Sequence, residues 1–156
     1  MLWDFAGVDG LAVAMALFGE PVKKLAVWRS LVTPDSCYAI LRLCEGNFRI
    51  RTAEQDHNFS EKLAQACTGK RVWYAQLTYL GALSFPSHTI LPRLEQIATP
   101  KPPFRLHNLP LDCALPARID GTAIVLWRYL WQGTDLVQIH CAQRDRQKIR
   151  DYLQVK

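Results

Sequence analysis

Four histidines and five cysteines are the residues of this 156-residue chain best suited to acid–base, nucleophilic or metal chemistry. His57, His88, His107 and His140 are widely separated. None forms H-x-x-x-H, and none stands at zinc-ligand spacing from a cysteine. Cys37, Cys44, Cys67, Cys113 and Cys141 are odd in number, contain no C-x-x-C, and mostly sit in apolar patterns. They read as reduced thiols of a cytoplasmic protein rather than a disulfide framework. His140 and Cys141 are neighbours, but neighbours on a strand point to opposite faces and cannot pair. His107 and Cys113 share one loop, where a thiol and its base could meet. His140 near a cationic face would be one way to build metal-free cleavage of RNA. Gly69-Lys70 is followed by arginine and lacks the upstream glycine of a Walker A loop. Neither G-x-G-x-x-G nor G-x-S-x-G occurs, and no Asp or Glu precedes a lysine by two positions. No metal or cofactor is expected, and His140, His107 and Cys113 are the only catalytic candidates.

Arginines and aromatic rings offer a different chemistry. "CYAILRLCEGNFRIRT", residues 37–52, reads as a hairpin with Gly46 in its turn. With either Glu45-Gly46 or Gly46-Asn47 at the turn, Arg42, Arg49 and Arg51 share one face. Leu41, Leu43, Phe48 and Ile50 would form the core face. Like charges across strands repel, so the three guanidiniums are either a solvated face or an anion site for phosphate or carboxylate. "RYLWQGTDLVQIHCA", residues 128–142, reads as a second hairpin. Gly133-Thr134 as central turn residues suits type II′, with glycine first. Trp127, Tyr129 and Trp131 then share a face with Gln138 and His140, while Leu126, Leu130, Val137 and Ile139 line the other. The rings are either packed or a platform for stacking bases or anchoring a partner.

Positioning these residues requires an α+β chain. Asp9 can cap a helix over residues 10–18, which Gly19 and Pro21 terminate. "LAVAMALF" is apolar all round, which marks it as buried or as an oligomer contact. Residues 24–32 fit either a strand or a helical stripe. Ser60 can cap a helix ending at Gly69. Residues 70–80, "KRVWYAQLTYL", suit a strand, and a short helix spans about 89–98 with Pro92 near its first turn. Residues 99–118 hold five of the nine prolines and read as an irregular connector docked on the body. The second hairpin covers about 122–142. A terminal helix follows over about 143–154, with Ile149 and Leu153 facing inward and Arg144, Arg146, Lys148 and Arg150 mostly facing water. Hairpin followed by helix thus occurs twice. The order implies a single α+β domain, with a mostly antiparallel sheet of two hairpins plus a central strand and helices on one face.

The formal charge is +5, with nine basic and five acidic residues after position 100. That balance suits nucleic acid or an acidic protein surface as partner. The apolar run of 10–18 is too short to span a bilayer. The sequence therefore predicts a non-catalytic cytoplasmic binding module or complex subunit. Arg42, Arg49, Arg51, Arg144, Arg146, Lys148 and Arg150 would contact the anionic partner, and Trp127, Tyr129 and Trp131 would stack on it or anchor it. The rival readings are a small enzyme acting on RNA or a phosphorylated metabolite, and a purely structural subunit assembling as a homo- or hetero-oligomer through residues 10–18.

Overall fold

The computed structural model describes residues 1–54 and 56–154. Its elements have the α+β class and antiparallel pairing expected, but the two hairpins belong to different five-stranded sheets. The chain divides into two compact units, Met1–Leu77 and Thr78–Lys156.

In the first unit β1 (Leu2–Gly7) leads into α1 (Gly10–Phe18) and a 3₁₀ turn, Glu20–Lys24. Then come β2 (Ser30–Val32), β3 (Tyr38–Cys44), β4 (Asn47–Thr52), α2 (Phe59–Cys67) and β5 (Val72–Gln76). The sheet order is β2-β3-β4-β1-β5, antiparallel throughout. Trp3, Phe5, Ile40, Phe48 and Ile50 point to one face, where Val13 and Ala14 of α1 and Phe59, Leu63 and Cys67 of α2 complete a core. Leu11, Met15, Leu17 and Phe18 also pack on that core, leaving Ala12 and Ala16 as the exposed side chains of α1. This helix spends its apolar surface internally, so little remains for the expected oligomer contact through 10–18.

Two glycines set how closely α1 meets the β3–β4 turn. A Cβ on Gly10 would lie 2.0 Å from the carbonyl oxygen of Gly46, and one on Gly46 would lie 2.2 Å from that of Gly7. The Gly7 amide donates to the Gly46 carbonyl at 3.1 Å. Backbone touches backbone here, and no side chain fits.

The second unit comprises β6 (Leu80–Pro86), α3 (Ser87–Ile97), β7 (Ala98–Pro100), β8 (Cys113–Ile119), β9 (Thr122–Trp131), β10 (Thr134–Ala142), a 3₁₀ turn and α4 (Arg146–Leu153). Its sheet order is β6-β10-β9-β8-β7. The aliphatic face, with Leu126, Val137, Ile139 and Cys141, packs on Ile90 and Leu94 of α3 and Ile149 and Leu153 of α4. Both units share one plan: a strand, a helix, an antiparallel meander whose last strand pairs with the first strand, and a second helix. The twice-seen hairpin-then-helix pattern is the C-terminal part of that plan.

Several boundaries differ from the sequence reading. Residues 24–32 form neither a helical stripe nor a full strand, because Trp28 takes a left-handed φ of 62° ahead of the short β2. The expected strand over 70–80 is two strands, β5 and the start of β6, interrupted at Leu77–Tyr79. Leu77 N–H bonds the Leu2 carbonyl, whereas the Tyr79 carbonyl accepts from Gln143 N–H. The connector at 99–118 conceals a full strand, β8, which accommodates Pro116 between β7 and β9. Pro92 lies inside α3, five residues beyond its first. Asp9 makes no side-chain cap of α1. Its carboxylate accepts from the Arg71 amide at 2.8 Å instead.

Candidate functional site

The first hairpin does not carry three arginines on one face. A bulge between Arg42 and Cys44 shifts the register, so Arg42 stands opposite Phe48 while Leu41 stands opposite Arg49. One extra residue flips every side chain beyond it. Arg42 therefore joins the helix side with Phe48, its guanidinium 5.6 Å from the ring centre. It donates to the carbonyls of Leu25 at 2.7 Å and Glu45 at 2.8 Å. Arg49 and Arg51 remain on the other face with Leu41 and Ala39. Arg49 lies across from Asp4 of β1 and holds it in a two-point fork. Nε donates to Oδ1 and one terminal nitrogen to Oδ2, each at 2.8 Å. Both residues are buried. Arg42 and Arg49 thus brace loops and strands, and the expected anion site is not assembled. The bulge also removes the arginine-against-arginine pairing that made the expected register unfavourable.

The second hairpin turns one residue earlier than expected. Gln132 and Gly133 are the central residues, both left-handed at φ 50° and 80°, which is the type I′ pattern. Trp131 pairs with Thr134, Tyr129 with Leu136 and Trp127 with Gln138. This register slips by two residues from the expected one, so the membership of each face survives. Trp127 and Tyr129 have no exposed surface, and Trp131 is 7% exposed. Their rings pack on one another, with centroids 4.3 Å apart for Trp127–Tyr129 and 6.1 Å for Tyr129–Trp131. A stacking platform needs open ring faces, so these rings are structural.

The polar groups beside them are also engaged. The Gln138 amide oxygen accepts from the Tyr129 hydroxyl at 3.2 Å and lies 2.9 Å from His140 Nε2, while its nitrogen donates to Ser84 Oγ at 3.3 Å. The imidazole is 1% exposed and is a core histidine rather than an open acid–base group. His107 and Cys113 do not form a nucleophile and base. The imidazole of His107 is exposed and faces Glu95 at 3.4 Å, whereas Cys113 is buried in the core with Leu106 and Leu109. No group of three metal-ligating side chains occurs among the described residues.

The basic residues at and before the terminal helix differ in exposure. Arg144 and Arg150 are exposed. Lys148 is tied to Asp120 at 3.1 Å and to Thr122 Oγ1 at 3.1 Å, which raises its pKa through the Asp120 contact. Arg146 is half-buried with its Cβ 3.0 Å from where a side chain on Gly81 would begin.

An unexpected surface lies on β5. Trp73 is 57% and Tyr74 37% exposed, whereas half of the chain's other aromatic rings are buried. Neighbouring strand residues face opposite sides, so both flanks of β5 carry an aromatic ring. Lys70 and Arg71 precede the strand and are exposed. The Arg71 amide, and then its guanidinium, hold the Asp9 carboxyl below its usual value. The sequence marked this strand by its β-branched and aromatic content, and the sheet order places it at an edge.

No family model matches the chain, and no curated protein matches it. Solved structures do. A chain of the heterotetrameric sarcosine oxidase from Corynebacterium sp. U-96, in complex with pyrrole 2-carboxylate, superimposes with a TM-score of 0.73 at 18% identity. The match covers 97% of this chain and 76% of that one. The glycine cleavage system aminomethyltransferase T from Bartonella henselae gives a TM-score of 0.71 at 13% identity, over 97% of this chain and 42% of that one. This chain therefore spans less than half the length of the aminomethyltransferase. At these identities the likeness is one of fold.

Proposed function

We propose that this chain is a non-catalytic docking subunit or module of a protein assembly, with an acidic protein surface as its partner. The observation that carries the reading is the placement of its aromatic surface. Trp73 and Tyr74 of β5 remain exposed, at 57% and 37%, while Trp127, Tyr129 and His140 are enclosed. Exposed tryptophan and tyrosine are typical anchors of protein interfaces. The fold is also that of a chain from a heterotetrameric oxidase, which supports assembly by analogy. The formal charge of +5 favours an acidic partner. Five free thiols suit a reducing compartment, the cytoplasm. No helix of the described residues is long and apolar enough to cross a membrane.

Nucleic acid is the competing partner, and the enclosed rings and braced arginines weaken its case. The deciding experiment is purification of the tagged chain from its native cell, with and without nuclease, followed by mass and nucleic-acid analysis. A defined protein complex that survives nuclease supports docking. A chain recovered alone, or with partners that nuclease releases, overturns it.

A further inference from the structure

We infer that the free edge of β5 is a strand-addition site for an extended, acidic segment of a partner protein; this rests on the docking reading and names where docking occurs. The pairing of β5 fixes which backbone groups are open. Leu77 N–H bonds the Leu2 carbonyl, and β5 runs antiparallel to β1 with Asp4 opposite Ala75 and Ala6 opposite Trp73. Bonded pairs alternate along an antiparallel ladder, so Trp73 and Ala75 turn their amides and carbonyls to β1. Val72, Tyr74 and Gln76 turn theirs outward. Among the described residues β5 ends the sheet and has no second neighbouring strand.

Natural proteins blunt such edges with short strands, prolines or charges; β2 and β7 follow that rule, and β6 does so only at its last residue. β2 has three residues. β7 has three and ends in Pro100. β6 turns Leu80, Ala82, Ser84 and Pro86 outward by the same alternation, and the proline has no N–H. β5 differs: Val72-Trp73-Tyr74-Ala75-Gln76 holds no charge and no proline, and it carries exposed rings on both flanks. An edge of this kind is a template for a further strand. Backbone bonds would supply affinity, and the rings would receive alternate apolar side chains. Lys70 and Arg71 stand at one end, and the side chain of Arg71 is 76% exposed despite its 3.4 Å contact with Asp9. That end selects carboxylates on the incoming segment.

Amide hydrogen exchange on the whole chain tests the inference, with two synthetic eight-residue peptides as probes. One alternates valine and glutamate, the other valine and lysine. The acidic peptide is expected to protect the amides of Val72, Tyr74 and Gln76, leaving those of Trp73 and Ala75 as protected as before. The lysine peptide is expected to bind about tenfold more weakly or worse. Trp73→Glu alters an exposed side chain and Gln76→Pro removes an outward amide, so each should weaken binding about tenfold or more while the unfolding midpoint holds. Unchanged exchange at the three amides overturns the inference, as does equal binding of the lysine peptide. Protection of those amides in the free chain together with a doubled mass makes a second copy the occupant, and also overturns it. A native complex that forms with both variants unimpaired refutes the edge while docking stands. Absence of any native complex refutes docking, and the peptide measurement still reads the edge.

Discussion

Replacing Asp4 by asparagine tests whether Arg49 belongs to the framework. The two residues face each other across β1 and β4, joined by two charged hydrogen bonds of 2.8 Å. Each side chain is only 11% exposed, so water does little to screen the pair or to replace a lost partner. Asparagine keeps the shape and opens no cavity, and the guanidinium loses its carboxylate. Breaking a buried pair from one side costs about 3–5 kcal/mol. Two charge-assisted bonds at about 1.5–3 kcal/mol each lead to a similar figure. Domains of this size have about 5–15 kcal/mol in all, so a substantial part of the stability should go. Asp4→Leu combined with Arg49→Met removes both charges and should lie within about 1 kcal/mol of the parent, since apolar substitutes often match a buried pair. Urea unfolding followed by circular dichroism measures both. A loss below about 1 kcal/mol for Asp4→Asn would mean that the pair behaves as a solvated one. Arg49 would then be available to an external anion, and the structural role given to it would fail.

Gly46→Ala should destabilise the first unit by about 1–3 kcal/mol or prevent folding, because its Cβ would lie 2.2 Å from the Gly7 carbonyl oxygen. Gly69→Ala, in open space at φ +69°, should cost only about 1 kcal/mol in the same unfolding assay. Asp135 is held below its usual pKa by hydrogen bonds from Arg128. A depressed carboxyl contributes stability above its unfolded pKa, near 3.8, and loses it as the pH falls through the lower folded value. Asp135→Asn should therefore flatten the acid limb of stability below about pH 4. Among the thiols, Cys44 is exposed and Cys37 intermediate, while Cys67, Cys113 and Cys141 are buried. A chromogenic disulfide at pH 8 should label Cys44 first. Cys37 should follow, since its hydrogen bond with Asp35 raises its pKa. Rapid labelling of all five would refute the burial pattern.

The elements legible in the sequence were those with a strong local signal. Gly46 and Gly133 marked both hairpins. Glycine stops marked the ends of α1 and α2, at Gly19 and Gly69, and apolar spacing marked α4, whose Ile149 and Leu153 face inward. Register was harder, because the same turn residues permit several alignments. In the second hairpin the slip was even, so Trp127, Tyr129 and Trp131 kept their shared face. In the first, the bulge shifted the register by one and moved Arg42 away from Arg49 and Arg51. The sequence held a warning, since both two-residue turns, Glu45-Gly46 and Gly46-Asn47, set Arg42 against another arginine. Proline content concealed β8: five prolines within 99–118 suggested a connector, although a single Pro116 is tolerated between two strands. β1 escaped notice because "LWDFAG" places Asp4 between Trp3 and Phe5, and only its pairing with Arg49 explains a buried carboxylate there.

Those errors of register bear directly on function. Charged and aromatic residues were expected to form recognition faces because they lay on sheet surfaces in alternating order. In the folded chain such residues on sheet faces complete the structure: Arg49 answers Asp4, Gln138 answers Tyr129 and His140, and Arg42 answers two carbonyls. What remains unanswered lies along a strand rather than across a face. Val72, Tyr74 and Gln76 direct backbone groups outward, and no periodicity of side chains could reveal this, because edge position depends on which strands arrive from elsewhere in the sequence. The adjacent rings of Trp73 and Tyr74 are the one local hint. A strand buried on one face alternates apolar and polar residues, whereas two consecutive rings place an aromatic on each side. Such a strand is either enclosed on both faces or left incomplete, and the exposure of both rings decides for the second.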